Sequence, residues 1–276
     1  MLSFVNLMDL KNILITGAAG SVGKTLREGL RGGYQVVRVS DIVDLGPAGP
    51  GEELNRAELA DLADVEAACA GMDAVIHLGA VSREACFDEI LGPNIIGVYN
   101  LFEAARRRGV KRVIFASSNH AVGFYEVGTP LGVVEAARPD GFYGAAKAFG
   151  EGLAVLYHRK WGLESASLRI GSFRELPTEV RHLSTWLSPR DMVQLVRCCL
   201  EAPVLGCAVL YGVSGNSRKW WNNPDADRLG YRPKDNAEWY ADKITGSALP
   251  VDTDDPAERY MGGFIAAIDY GKTNRE

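Results

Sequence analysis

Short apolar runs alternate along the chain with longer stretches in which apolar residues recur every three or four positions. The runs are NILIT at 12–16, QVVRVS at 35–40, AVIHL at 74–78, RVIFA at 112–116, SASLRI at 165–170 and AVLYG at 208–212. Their length and content predict strands. Helical periodicity fills 21–31, 95–108, 143–160 and 189–202. This alternation predicts βαβ units, hence an α/β fold with a doubly wound parallel sheet and helices on both faces. In such sheets ligands bind beyond the carboxyl ends of the strands, near a topological switch point. Residues 171–188, and those after about 213, break the pattern and are richer in Pro, Asn and Trp. They are expected to form a small cap over the strand ends. The chain therefore reads as a single domain over 1–276, with a core at 11–170 and a loop, cap and tail at 171–188 and 213–276. The closing stretch from Val251 reads as a tail packed on the body or on a partner subunit.

Composition narrows the classes. A net charge of -5 gives no electrostatic case for nucleic acid or an anionic membrane. No apolar run approaches the length of a membrane span. The opening MLSFVNLMDL has neither a basic region nor a long apolar one, so no signal peptide is expected. Cys69, Cys86, Cys198, Cys199 and Cys207 form no C-x-x-C pair and no metal spacing. Reduced thiols in a cytoplasmic protein are the expectation, with no metal site.

Four motifs carry chemistry. The first is ITGAAGSVG, which follows the first strand and opens the first helix. Gly17, Gly20 and Gly23 allow a tight turn whose backbone can approach a pyrophosphate, and a helix N-terminus offers free N–H groups. The spacing G-x-x-G-x-x-G differs from the usual dinucleotide fingerprint, and alone such a turn can merely pack. The second is Asp41, which ends the second strand. A carboxylate there can hold ribose hydroxyls and repels a 2′-phosphate. Ile42 and Val43 follow it, with no arginine to receive that phosphate, so NAD is favoured over NADP. The third is FASSNH, which puts Ser117, Ser118, Asn119 and His120 at the rim of the same crevice. The fourth is FYGAAKAFGE, where Tyr143 and Lys147 leave one face of a helix a turn apart. The small residues between them leave room for something to come close. An ammonium beside a phenol would lower its pKa from about 10 and make it a usable base for taking a proton from an alcohol.

In that order, and with HLGA at 77–80, these motifs resemble the extended short-chain dehydrogenase/reductase superfamily to about residue 170. The segments HLGAVS, NIIGVYNLFEAAR, FASSNHAVGFY, RPDGFYGAAKAFGE, LRIGS, HLSTWLS, APVLGC and GYRPKDNAE resemble the uronate dehydrogenase family in particular. The resemblance implies a Rossmann fold and a catalytic set of Ser118, Tyr143 and Lys147, with Asn94 completing a proton relay. It implies NAD held by Gly17, Gly20, Ser21, Val22 and Gly23 and by Asp41 and Ile42. Glu58, Leu59, Leu78, Gly79, Ala80 and Ile170, with Tyr143 and Lys147, would complete that site. It implies a sugar acid bound by Ser82, Ser118, Asn119, His120, Tyr143, Ser172 and Arg181, with Arg181 at the carboxylate. His120 shows no Asp partner in the sequence and is assigned to substrate binding rather than proton abstraction. A homo-oligomer is left open.

The sequence also departs from the family pattern. Glu58-Leu59 stands where the family has Asp-Leu, and Asp61 could serve instead if the register slips. Arg174 is a second candidate for the carboxylate. The implied activity is NAD-dependent oxidation of galacturonate or glucuronate at the anomeric carbon to the aldarolactone. The alternatives are an aldose or sugar-phosphate dehydrogenase, a nucleotide-sugar epimerase or dehydratase, and a redox-sensing regulator. The last would typically lose Tyr or Lys of the catalytic set, and both are present.

Overall fold

A computed structural model describes residues 10–246, 252 and 254–268. The first nine residues, where no signal peptide is expected, and parts of the expected tail lie outside the described residues. The chain runs β1 (Asn12–Thr16), α1 (Ser21–Gly29), β2 (Val36–Asp41), β3 (Glu52–Arg56), α2 (Leu62–Cys69) and β4 (Ala74–His77). It continues through α3 (Phe87–Ile90), a widened π-helical turn (Leu91–Ile96), α4 (Gly97–Arg108), β5 (Arg112–Ser118) and a 3-10 turn (Asn119–Val122). Then follow α5 (Phe142–Trp161), β6 (Glu164–Ile170), β7 (Ser172–Phe173), α6 (His182–Thr185), β8 (Trp186–Leu187), α7 (Pro189–Glu201) and β9 (Cys207–Gly212). Short helices follow, the last among the described residues being Phe264–Ala267.

The main sheet has the order β3-β2-β1-β4-β5-β6-β9, and every pairing is parallel. This is the expected doubly wound Rossmann arrangement. Alternation along β1 divides the core in two. Ile13 and Ile15 join Leu26 and Leu30 of α1 and Met192 and Leu195 of α7 on one face. Leu14 joins Val65 of α2, Phe102 of α4 and Leu153 of α5 on the other. Burial on both faces explains the unbroken apolar runs. The order turns around between β1 and β4, so the crevice opens there beyond the strand ends.

Three elements differ from the sequence expectation. Strand β3, EELNR, lacks an apolar pattern because it is a charged edge strand paired only with β2. The helix expected at 95–108 begins with the π turn, where Pro93 has no N–H to donate. The 171–188 segment is not simply irregular, since β7 and β8 pair there.

The described part of the tail packs on the body. Met261 is fully buried; its N–H donates to the Tyr125 carbonyl (2.8 Å), and that of Gly262 donates to Gly123 (2.9 Å).

Candidate active site

The turn after β1 is built for close approach. Gly17 has φ +68°, and a Cβ there would lie 2.6 Å from the Gly79 nitrogen. A Cβ on Gly23 would lie 2.5 Å from the Gly17 carbonyl oxygen. The ends of β1 and β4 and the start of α1 can therefore meet only with glycine at both positions. Gly20 caps α1 without a side-chain hydrogen bond, leaving that terminus facing the crevice. Asp41 at the end of β2 accepts from the Ala19 N–H (3.0 Å) and the Ile42 N–H (2.8 Å), which fixes its carboxylate beside the turn. Thr16 Oγ1 and His77 Nδ1 stand 2.7 Å apart, and burial pushes the His77 ring down to about 3, so this pair holds two strand ends together as a neutral contact.

A crevice of about 500 Å³ runs across the strand ends. Every residue that the resemblance assigns to the cofactor lines it, Glu58 included. Asp61 does not line it; its carboxylate caps α2, accepting from Ala63 N (2.8 Å) and Asp64 N (3.2 Å). The geometry thus favours Glu58 over Asp61. Of the substrate residues, Ser82, Ser118, Asn119, His120 and Tyr143 line the crevice, whereas Ser172 and Arg181 do not. Those two sit behind Asn119. The Asn119 carboxamide is turned to donate to the Ile170 carbonyl (3.0 Å) and to accept from Arg181 Nη2 (2.9 Å). Arg181 Nη1 donates to Ser172 Oγ (3.3 Å), and Nη2 also donates to the Met261 carbonyl. Arg174 is exposed and stands outside the crevice.

Ser118, Tyr143 and Lys147 converge. Lys147 is buried, donates to the Ala116 carbonyl (2.7 Å) and holds its ammonium 5.3 Å from the Tyr143 ring centroid. Burial pushes the Lys147 amine down to about 8. Burial pushes the Tyr143 phenol up to about 12, against the opposing pull of a hydrogen bond with Ser118. The net shift of the phenol is upward, because desolvation is its largest cause. The serine pair divides: Ser117 Oγ turns away to Glu151 (2.6 Å), which Arg169 holds at 2.8 Å.

Other expectations need correction. The small residues between Tyr143 and Lys147 make room for the protein itself: a Cβ on Gly144 would lie 2.2 Å from the His120 carbonyl oxygen. Asn94 is buried, but its side chain accepts from Val81 N (2.8 Å) and donates to Val81 O (2.9 Å). It braces the loop that carries Ser82, and among the described residues its side-chain hydrogen bonds go to Val81. His120 does have an acidic partner: its Nδ1 stands 2.7 Å from Asp140 Oδ2. Sequence reasoning also missed Ile265, which the tail brings to the crevice wall; no spacing in the sequence points to it. Among the described residues all five cysteines are free, and no helix is long and apolar enough to cross a membrane.

Residues 13–174 match the NAD dependent epimerase/dehydratase family. The chain is 47% identical over 255 residues to a uronate dehydrogenase of Pseudomonas putida, covering 92% of this chain and 95% of that one. A crystal structure of a mutant uronate dehydrogenase from Agrobacterium tumefaciens complexed with NAD superposes with a TM-score of 0.90 at 46% identity, covering 94% of this chain and 98% of that one. The structure of a glucuronic acid dehydrogenase from Chromohalobacter salexigens gives 0.92 at 44% identity, with 94% and 98% covered. The chain belongs to the NAD dependent epimerase/dehydratase family and, within it, to the uronate dehydrogenases.

Proposed function

We propose that the protein oxidises a free uronic acid, galacturonate or glucuronate, at the anomeric carbon to the aldarolactone, with NAD as acceptor. The observation that carries this reading is that Ser118, Tyr143 and Lys147 line the same crevice as the glycine turn. The crevice suits a dinucleotide on its own geometry. Gly17 and Gly23 clear the backbone for a pyrophosphate, the α1 terminus faces it, and Asp41 is anchored where ribose hydroxyls would lie. Glu58 and Leu59 would flank the adenine end. Bound there, NAD would supply the hydride acceptor for oxidation at the anomeric carbon.

The protein's own residues handle the proton. Tyr143 accepts it from the anomeric hydroxyl, and Ser118 holds that oxygen in line. A phenol raised to about 12 needs positive charge nearby to serve as a base, and Lys147 stands where a phenolate would form. Ser82, Asn119 and His120 bind sugar hydroxyls, and Arg181, with Ser172, receives the carboxylate from behind Asn119. Asn94 acts through Val81, as a brace. Residues 11–170 carry the cofactor, and 171–188 with 213–276 cap the substrate, within one domain. The setting is the cytoplasm, and neither nucleic acid nor membrane takes part; a homo-oligomer stays open.

Tyr143→Phe tests the mechanism. The ring stays and the proton acceptor goes, so turnover should fall by about two orders of magnitude or more while NAD binding survives. Near-normal turnover would remove Tyr143 from the mechanism.

A further inference from the structure

The loop after the 3-10 turn folds back so that Arg138 N–H meets the Ala121 carbonyl (3.0 Å) and Asp140 N–H meets that of His120 (3.4 Å). This return sets the Asp140 carboxylate 2.7 Å from His120 Nδ1, with the acid side chain wholly buried and the His120 ring 16% exposed on the crevice wall. The carboxylate has no room to turn. A Cβ on Gly123 would lie 2.1 Å from its Oδ2, and one on Gly262 would lie 1.7 Å away. Oδ1 is buried with no hydrogen-bond partner among the described residues. Two titratable groups face this pair: Tyr143, edge-on to the His120 ring at 5.8 Å, and Arg181, whose guanidinium feels the Asp140 charge.

A carboxylate can only accept, so it selects the imidazole tautomer that carries its proton on Nδ1. We propose that Asp140 is a positioning residue that holds the His120 proton on Nδ1 and the ring in place, so that Nε2 accepts a hydrogen bond from a substrate hydroxyl. The proposal rests on the sugar-acid reading and deepens it. An acceptor backed by a buried carboxylate attracts a hydroxyl and repels carboxylate or phosphate oxygens. The charged end of the sugar acid then goes to the Arg181 cation and a hydroxyl to His120, which sets the direction in which the substrate lies.

The test uses the full chain with ¹⁵N-labelled histidine, whose four rings are His77, His120, His158 and His182. At about pH 8, above the ordinary histidine range, the signal that His120→Asn removes should show a protonated Nδ1 and a bare Nε2. A bare Nδ1, or a doubly protonated ring, overturns the proposal, and this readout needs no Asp140 variant to fold. The second arm compares monodeoxy uronates with the parent sugar. One missing hydroxyl should cost the wild type roughly tenfold or more in kcat/KM and cost Asp140→Asn far less, because the two changes remove one interaction. Asp140→Asn should raise KM for the uronate while leaving NAD affinity unchanged. Equal losses in both proteins for every deoxy sugar overturn the proposal. Failure of the wild type to oxidise any free uronate overturns the functional reading instead, and the tautomer readout still decides whether Asp140 fixes the ring.

Discussion

Arg181 shows what one residue can carry. Its guanidinium donates to Ser172, to Asn119 and to the Met261 carbonyl, yet its Nε is buried with no hydrogen-bond partner among the described residues, and burial pushes the group down to about 10. A buried cation with an unused donor suits an incoming carboxylate. Arg181→Ala should weaken uronate use by roughly 1.5–3 kcal/mol in kcat/KM, the range for a charged hydrogen bond, with NAD affinity unchanged. Arg174→Ala, on the exposed side of the same segment, should change little; steady-state kinetics on both variants decides. If only the Arg174 change removes uronate selectivity, the carboxylate site is misplaced. Tyr143 and Lys147 were legible at this scale because one helical turn fixes their relation. Asp140 was not, because its meeting with His120 depends on how residues 121–140 fold back.

Among the elements, α5 matters most, since it carries both Tyr143 and Lys147. Its first turn is held from outside the helix: the buried Glu84 carboxylate accepts from the N–H groups of Phe142 (2.8 Å) and Tyr143 (2.9 Å). Gly141 lets the acid approach, since a Cβ there would lie 2.3 Å from Glu84 Oε2. An acceptor and a negative charge at a helix N-terminus both stabilise it. Glu84→Gln keeps the shape and loses the charge, so unfolding stability should fall by about 1 kcal/mol, read from the denaturant midpoint. An unchanged midpoint would show that the cap contributes nothing. Apolar runs announced the central strands, and only their ends moved by a residue or two. Strand β3 was illegible because an edge strand needs only one partner and few apolar residues.

At the scale of the whole molecule, one parallel sheet brings the ends of β1, β2, β4, β5 and β6 to a single crevice. The part of the crevice assigned to the cofactor was legible because its motifs sit at strand ends in chain order, from Gly17 to Ile170, with Tyr143 and Lys147 a helical turn apart on α5. The substrate half was less so. Arg181, which holds Ser172, meets the crevice through Asn119, and Ile265 arrives from a tail with no periodic signal. The central claim is that this crevice oxidises a free sugar acid with net reduction of NAD. The direct measurement is NADH formation by the intact protein against free galacturonate and glucuronate, with matched aldoses, sugar phosphates and UDP-sugars alongside. The account predicts NADH formation with a free uronate and much lower efficiency with the neutral aldose. Equal use of the aldose, a preference for a sugar phosphate, or conversion of a UDP-sugar without net NADH would contradict it.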